Sequence, residues 1–345
     1  MRFASDNAGP VHPAVMDALV QANQGWALPY GNEDITERAC ARVRDVFEAP
    51  EAAVYFVATG TAANALALAT LTRPFDAIFC TPEAHIEEDE CNAPEFYTGG
   101  AKLTLVDSHH GLMRADALTS AIGKLGSLHG PQPGAVSITQ VTERGTLYTL
   151  DQIAELARIA HNANMPLHLD GARFANACSV LGCTAAEMSW KAGVDAVSFG
   201  GTKNGLMGVE AVILFNPEKA WQFELRRKRG GHLFSKKRFL AAQMDAYLTD
   251  GLWLDMAAQA NAAAAKLTAG LKQIDRVRFD HAPQANMLYV SFPRADHQRL
   301  HNDGAQYDCK GTLDGPPDEM IGARLVCDWS MPDHLIQQFL DHFDG

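Results

Sequence analysis

The first 215 residues alternate between short apolar segments and amphipathic segments, and this alternation restricts the possible folds more than any other feature. The apolar segments are bounded by turn residues and are apolar almost throughout, which is typical of strands buried on both faces. Between them, apolar residues recur with helical spacing, as at Val15, Ala18, Leu19 and Ala22. Strands separated by helices predict an α/β fold with a mainly parallel sheet. The predicted strands are residues 54–57, 77–80, 103–106, 135–141, 167–170, 196–199 and 211–215.

The pattern changes beyond residue 215. A basic stretch (226–238) precedes an Ala-rich segment that predicts one long helix over about 240–271. Two β-like segments (287–292 and 323–327) and a final helix from Pro332 follow. We therefore predict two domains: an N-terminal segment with a large α/β domain over 1–245, and a small C-terminal α+β domain over 246–345.

Charge and composition exclude several classes of function. The chain has 29 Lys and Arg against 41 Asp and Glu, a net charge of −12, which argues against nucleic-acid partners and membrane surfaces. No apolar run approaches the ~18 residues of a membrane span, and the first residues lack the pattern of a signal peptide. The seven scattered cysteines indicate reduced thiols and a cytoplasmic location. The histidines form no HExxH or similar motif, so no metal site is expected.

Two strand ends carry the strongest chemical signal. Asp170 lies at the end of one predicted strand, and Lys203 follows the next strand and a Gly-Gly turn. In open α/β sheets, ligands bind at the carboxyl ends of the strands. Pyridoxal phosphate requires a lysine for its Schiff base and a carboxylate beside its pyridine nitrogen. The pair therefore indicates a pyridoxal phosphate site.

A phosphate site is predicted in the loop 58–64 (ATGTAAN), between a predicted strand and an Ala/Leu-rich helix. Amides of Gly60 and Thr61 at the start of that helix can bind an anion. The loop is neither a Walker loop nor a GxGxxG motif, which argues against a nicotinamide dehydrogenase. Beyond the next strand, the ring of His85 can lie on an aromatic cofactor. Arg324 requires an anionic partner, either a protein carboxylate or a substrate carboxylate.

Taken in order, these segments resemble the low-specificity L-threonine aldolases and the phenylserine aldolases related to them. That family belongs to the aromatic and β-eliminating lyase superfamily of fold-type-I pyridoxal-phosphate enzymes. The resemblance implies a PLP-dependent transferase-like fold and active sites shared within a homodimer or homotetramer. The matching motifs are Ser5-Asp-Asn, Leu28-Pro-Tyr30-Gly, the loop 58–64, Glu83-Ala-His85, His168-Leu-Asp170-Gly-Ala-Arg173, Lys203 and Ala323-Arg324-Leu-Val.

The resemblance also implies a role for each matching residue. Lys203 would bind the cofactor covalently, Asp170 would pair with its ring nitrogen, and His85 would stack on its ring. Gly60, Thr61 and Thr202 would hold its phosphate, with Lys228 reaching the phosphate of the neighbouring subunit. Arg173 would contact the ring oxygen or the substrate carboxylate. Ser5 and Arg324 would hold that carboxylate, and Tyr30 would line the site from the neighbouring subunit.

The chain departs from the family pattern in two places. Where many members carry Asn-Thr-His-Asn, this chain has Gln140-Val-Thr-Glu-Arg-Gly145, and we interpret Thr142 as the replacement for a second active-site histidine. With that histidine absent, His85 is the predicted catalytic base and Glu143 the alternative. A glycine-rich stretch that usually ends in Arg-Gln is also altered, to Gly230-Gly-His-Leu-Phe-Ser-Lys236.

The implied reaction is the retro-aldol cleavage of threonine, allo-threonine or a related β-hydroxy-α-amino acid such as phenylserine to glycine and an aldehyde. The residues leave two alternatives open. One is another reaction on the same cofactor, such as β-elimination, transamination or racemisation. The other is a non-catalytic α/β protein that binds a small molecule. The sequence does not rank the candidate substrates, because one methylene in a pocket changes specificity by only ~1–3 kcal/mol.

Overall fold

A computed structural model describes residues 1–343 of the chain. These residues form three sheets surrounded by helices. The strands are β1 (Ala53–Val57), β2 (Asp76–Cys80), β3 (Lys102–Leu105), β4 (Ser108–His109), β5 (Leu112–Met113), β6 (Gln132–Thr139), β7 (Leu167–Gly171), β8 (Ala196–Gly200), β9 (Glu210–Leu214), β10 (Arg278–Phe279), β11 (Met287–Pro293), β12 (Asp308–Lys310) and β13 (Met320–Val326).

The large sheet contains all seven strands that the apolar segments predict, in the order β1-β9-β8-β7-β6-β2-β3. Five neighbouring strands of this sheet, β3, β2, β6, β7 and β8, run parallel, whereas β9 is antiparallel to both of its neighbours. The predicted, mainly parallel sheet is therefore confirmed. Its strand ends differ from the predicted ends by at most a few residues.

Both faces of this sheet are covered. Along β9, Ala211 and Ile213 belong to one apolar cluster, whereas Val212 and Leu214 belong to another on the opposite face. The helices of the described residues are α1 (Pro13–Ala22), α2 (Asp34–Val46), α3 (Gly60–Leu71), α4 (His85–Glu88), α5 (Ala93–Thr98), α6 (Ala115–Ile122), α7 (Leu150–Asn162), α8 (Phe174–Leu181), α9 (Ala220–Arg229), α10 (Arg238–Leu248), α11 (Leu252–Leu271), α12 (Arg294–Asn302) and α13 (Asp333–Asp341). The last two, α12 and α13, pack in the core of the C-terminal part rather than on this sheet. Within residues 1–343, no helix is both long and apolar enough to cross a membrane.

The prediction of one long helix over 240–271 is wrong. Two helices, α10 and α11, occupy the segment, separated by Thr249–Gly251. Asp250 and Gly251 both have left-handed backbone angles (φ 52° and 77°). An α-helix cannot continue through residues in that region, and Asp-Gly adopts it at low cost.

The C-terminal part folds around a four-stranded antiparallel sheet in the order β10-β11-β13-β12, which agrees with the predicted α+β unit. The first residues of the chain join this unit, since Phe3 packs in its core and Arg2 pairs with Gln306. The domain boundary at 245/246 falls within α10 and remains a prediction. The interface between the large sheet and this unit is where the predicted site residues meet.

Candidate active site

A cavity of about 770 Å³ lies beyond the carboxyl ends of β7 and β8, between the large sheet and the C-terminal unit. Most of the predicted site residues line it, although they are distributed along more than 300 positions of the sequence. Those that line it are Ser5, Gly60, Thr61, His85, Asp170, Arg173, Thr202, Lys203 and Arg324. Tyr30, Thr142 and Lys228 do not.

Lys203 reaches the cavity because two glycines allow the chain to turn sharply after β8. A Cβ on Gly200 would lie 2.4 Å from the carbonyl oxygen of Ala172, and one on Gly201 would lie 2.4 Å from Leu206. The Lys203 side chain has no hydrogen-bond or ion-pair partner among the described residues. Burial, together with the charge of Arg173, lowers the pKa of Lys203. A lysine of lowered pKa is a better nucleophile toward a carbonyl group.

Asp170 ends β7 and belongs to a buried polar network. Its Oδ2 accepts a hydrogen bond from Asn64 Nδ2 (2.7 Å), and its Oδ1 accepts one from the amide of Ala172 (3.0 Å). Asn64 Nδ2 also donates to Glu90 Oε1 (2.9 Å), which contacts His85 Nδ1 (2.9 Å). The network holds Asp170 and His85 on one side of the cavity. Glu90 was not recognised in the sequence, because no local motif marks it.

The hydrogen bond to Glu90 raises the pKa of His85, although burial acts in the opposite direction. This bond fixes the orientation of the ring through Nδ1. The other ring nitrogen, Nε2, has no hydrogen-bond partner among residues 1–343. His85 begins α4, directly after β2, at the wall of the cavity.

The predicted phosphate site lies at the N-terminus of α3. Thr59 caps this helix by accepting a hydrogen bond from the amide of Ala62 (3.2 Å). The amides of Gly60 and Thr61 precede the first intrahelical donors and so have no partner within the helix. No atom of the described chain lies within 4 Å of the place where a Cβ on Gly60 would be. The helix therefore begins with two amides that lack helical partners, beside open space at Gly60, and an anion can bind at such a helix N-terminus.

Arg173 also lines the cavity, but a residue near the N-terminus holds its guanidinium group. Asp6 accepts two hydrogen bonds from it, at 2.6 Å from Nε and 2.9 Å from Nη2. Burial alone would raise the pKa of Asp6, but Arg173 and Lys203 lower it below its ordinary value. Asn286 also donates to Asp6 (3.1 Å). The sequence includes Asp6 in a matching motif, but only the fold shows that it pairs with Arg173.

Arg324 projects from β13 on the opposite wall of the cavity. One nitrogen, Nη2, contacts Asp308 (2.5 Å), whereas the buried Nε has no hydrogen-bond partner among the described residues. Ser5 lies on the same wall, and its hydroxyl accepts a hydrogen bond from the amide of Asn7 (3.1 Å). Arg324 therefore lines the cavity and has a donor nitrogen, Nε, that no described residue uses. A carboxylate ligand can accept a hydrogen bond from such a guanidinium group.

Thr142 does not take the place of the second histidine. Its hydroxyl is buried in the turn after β6, where it contacts the hydroxyl of Thr146 (2.7 Å) and accepts from the Thr146 amide (3.1 Å). The next residue, Glu143, lines the cavity instead. Consecutive residues in this turn point in different directions, and the sequence alone did not show which one faces the ligand.

Tyr30 and Lys228 lie together, outside the cavity of their own chain. Tyr30 is exposed, and the Lys228 ammonium group lies 5.7 Å from the centre of its ring. These are the two residues for which the sequence resemblance implies a contact with a neighbouring subunit. Their expected roles remain predictions.

Comparison with known proteins establishes the family. The sequence model described as "Beta-eliminating lyase" matches residues 2–293, which is most of the chain. The chain belongs to the beta-eliminating lyase family. Among its relatives, the low specificity L-threonine aldolase of a Pseudomonas species is 38% identical over 98% of this chain and 95% of that protein. The protein of the same name from Pseudomonas aeruginosa is also 38% identical, over 95% and 92%.

Solved structures of other proteins share the fold. The threonine aldolase of Leishmania major superposes with a TM-score of 0.92 and 27% identity, covering 99% of this chain and 98% of that one. Sphingomonas wittichii serine palmitoyltransferase has a TM-score of 0.72 at 16% identity, covering 100% and 86%, and supports the fold alone. These likenesses confirm the predicted fold type I.

Proposed function

We propose that this protein is a pyridoxal-phosphate-dependent aldehyde-lyase that cleaves L-threonine, L-allo-threonine or a related β-hydroxy-α-amino acid to glycine and an aldehyde. The observation that carries this proposal is the convergence of Lys203, Asp170 and the N-terminus of α3 on one cavity. The relatives named as threonine aldolases, which match nearly the whole chain, support the choice of reaction.

The residues around the cavity fit pyridoxal phosphate. Lys203 has an unpaired amine for the covalent bond, and Gly60 and Thr61 line the cavity at the start of α3, where helix amides can bind a phosphate. Asp170 supplies the carboxylate for the ring nitrogen, and Asn64 holds it in place. When bound, the cofactor accepts the electron pair that a breaking bond leaves on the substrate Cα.

The opposite wall of the cavity supplies the groups that hold an amino acid. Arg324 directs its unpartnered Nε to the substrate carboxylate, with Ser5 beside it. Arg173 remains available at the cavity while Asp6 fixes its orientation. His85 and Glu143 line the same cavity and are the groups that we expect near the β-hydroxyl of a substrate held in this way. Phenylserine is a further candidate substrate.

We include a homodimer or homotetramer in the proposal, with each site completed by a second copy of the chain. Tyr30 and Lys228 are adjacent and lie outside their own cavity. Trp26 and Leu28, close to Tyr30 in sequence, are also exposed. Exposed apolar side chains grouped in this way are typical of a subunit interface. We also expect a cytoplasmic location, from the seven scattered cysteines of the sequence.

The test uses protein purified with pyridoxal phosphate. We expect a visible absorbance band, and borohydride reduction should attach the pyridoxyl group to the peptide that contains Lys203. Incubation with threonine, allo-threonine and phenylserine should release glycine and the matching aldehyde. Release of pyruvate and ammonia would instead identify a β-eliminating lyase. Absence of both the chromophore and turnover would favour the non-catalytic binding protein.

A further inference from the structure

Glu143 has one carboxylate oxygen that is fully engaged and one that is not. Its Oε1 accepts hydrogen bonds from the amide of His85 (2.9 Å) and from the hydroxyl of Thr139 (2.7 Å). Its Oε2 is buried and has no partner within the described residues. A buried oxygen without a hydrogen-bond partner lowers the stability of the folded protein. Two donors therefore fix the carboxyl group in an orientation that leaves one oxygen for a ligand.

The backbone around Glu143 is equally constrained. Tyr289, from the C-terminal unit, donates its hydroxyl hydrogen to the carbonyl oxygen of Glu143. Arg144 lies over the ring of Tyr289, with its guanidinium carbon 4.7 Å from the ring centre. Glu143 thus lies at the interface between the large sheet and the C-terminal unit, and it lines the same cavity as His85.

His85 shares this wall, and its ring has a defined orientation through Glu90. Glu90 contacts its Nδ1, and this hydrogen bond raises the pKa of the ring and so favours the protonated form. In that form, Nε2 carries a hydrogen that can be donated to the oxygen of a substrate hydroxyl. Glu143 is the neighbouring carboxylate at the same wall that has an unpaired oxygen.

We propose that Glu143 is the catalytic residue that takes the β-hydroxyl proton of the substrate as the Cα–Cβ bond breaks. This inference rests on the proposed function. The O–H bond breaks, its proton passes to Glu143 Oε2, and its electron pair forms the carbonyl of the aldehyde. The pair of the Cα–Cβ bond remains on Cα, which later takes one proton and becomes glycine. One proton leaves oxygen and one joins carbon, so no oxidant or co-reactant is needed.

The environment of Glu143 suits a base that acts near neutral pH. Burial, followed by the charge of Asp170, raises the pKa of Glu143 to about 7. Only the deprotonated form accepts a proton, so the cleavage rate should rise with pH through this value and fall below it. The titratable or charged groups that face Glu143 from the surrounding elements are Cys80, His85, Tyr148, Asp170, Arg173 and Tyr289.

The decisive variant is Glu143→Gln, because its amide oxygen can still accept from His85 and Thr139 but its nitrogen cannot accept a proton. We expect kcat for cleavage of phenylserine or threonine to fall by about 10²- to 10⁴-fold, the usual contribution of a general base. Exchange of the glycine α-proton with solvent deuterium, followed by NMR, involves no β-hydroxyl. That exchange should fall by much less. Glu143→Asp should restore part of the cleavage rate.

The control is Glu87→Gln, which removes the same charge from an exposed position on α4, outside the cavity lining. It should cleave substrate at the wild-type rate. If Glu143→Gln cleaves within a few-fold of wild type, or loses cleavage and exchange equally, the proposal is wrong. If the wild-type protein itself shows neither cleavage nor exchange, it is the proposed function that fails.

A second measurement is independent of turnover. In protein labelled with ¹³C at the glutamate carboxyl carbon, one resonance should titrate near pH 7 and be absent from Glu143→Gln. Glu210 is a second buried glutamate whose pKa burial raises to about 7, so the two resonances must be assigned by variant. A Glu143 resonance that titrates at the ordinary value of an exposed glutamate would contradict the proposed role.

Discussion

Charged side chains lie at both ends of the parallel strands, which we call the amino edge and the carboxyl edge of the large sheet. The hydrogen bonding of these side chains differs between the two edges. At the amino edge, a groove of about 570 Å³ contains the pairs Arg73–Asp76 (3.0 Å) and His161–Asp195 (2.9 Å). No side chain lining that groove has a buried polar atom without a partner among residues 1–343. At the carboxyl edge, buried oxygens of Asn64, Glu90 and Glu143 all lack partners.

This difference separates structural polar groups from functional ones. Arg73 and Asp76 are close in sequence, and the exposed Arg73 lets water share the pair, so it stabilises the fold without strain on its charges. The carboxyl-edge groups converge from distant segments on one cavity, and each buried atom there without a partner lowers stability. Such a cost is typical of sites that are completed by a ligand. Four predictions test the distinction, from the largest expected effect to the smallest.

Lys203→Ala should abolish activity, because within residues 1–343 the other lysine that lines the cavity, Lys310, belongs to β12 of the C-terminal unit and not to the turn after β8. The purified variant should also lack the absorbance of covalently bound cofactor. Activity with added pyridoxal phosphate and absorbance would be measured side by side. Full aldolase activity in this variant would contradict the assignment of Lys203.

Asp170→Asn should reduce kcat by about 10²- to 10³-fold, the size of loss that follows removal of one preorganised electrostatic partner. The reason is that an amide cannot stabilise a positive charge on the cofactor ring nitrogen. Steady-state kinetics at saturating cofactor would measure the loss. A matched loss of charge at the amino edge, Asp195→Asn, should leave kcat unchanged.

Asp6→Asn should destabilise the protein at neutral pH by about 3–5 kcal/mol, because it leaves the charge of Arg173 buried and incompletely paired. The pKa of Asp6 in the folded protein lies below its ordinary value of 3.8. Its contribution to stability is therefore present above pH 3.8 and is lost as the pH falls below it.

Urea unfolding of the wild type and the variant at neutral pH and at about pH 3 would measure both effects. The difference between the two proteins should shrink at the lower pH. An equal difference at both pH values would show that the pair does not act through the charge of Asp6.

His161→Gln should change the free energy of unfolding by no more than about 1 kcal/mol, because both members of the His161–Asp195 pair are substantially exposed. Aldolase activity should be the same as in the wild type. A large loss of activity would mean that the amino edge also contributes to function, and the contrast between the two edges would not hold.

Much of the large domain could be predicted from the sequence, because strand and helix patterns are local. All seven predicted strands form the large sheet, and the loop before α3 and the Gly-Gly turn before Lys203 both lie at the cavity. The break at Thr249–Gly251 was missed although Asp-Gly is a turn signal, since apolar spacing on both sides is helical. Local signals therefore identified which helices and strands are present more reliably than the residues at which they begin and end.

Contacts between distant segments could not be predicted in this way. Asp6 pairs with Arg173 across 167 positions, and Asn64 with Asp170 across 106. Glu90 and Glu143 have no motif of their own, and the choice between Thr142 and Glu143 depends on the direction of one turn. These are the residues that set the orientations and pKa values within the cavity.

The sequence by itself determined the α/β architecture, the cofactor that suits Lys203 and Asp170, and the resemblance to threonine aldolases. Those properties depend on local periodicity and on the type of residue at strand ends. Only the tertiary structure decided which carboxylates are paired, which are buried, and which oxygen of Glu143 remains available. The reason is physical: the charge and pKa of a group depend on its surroundings within a few ångströms, and folding brings those surroundings from distant parts of the chain.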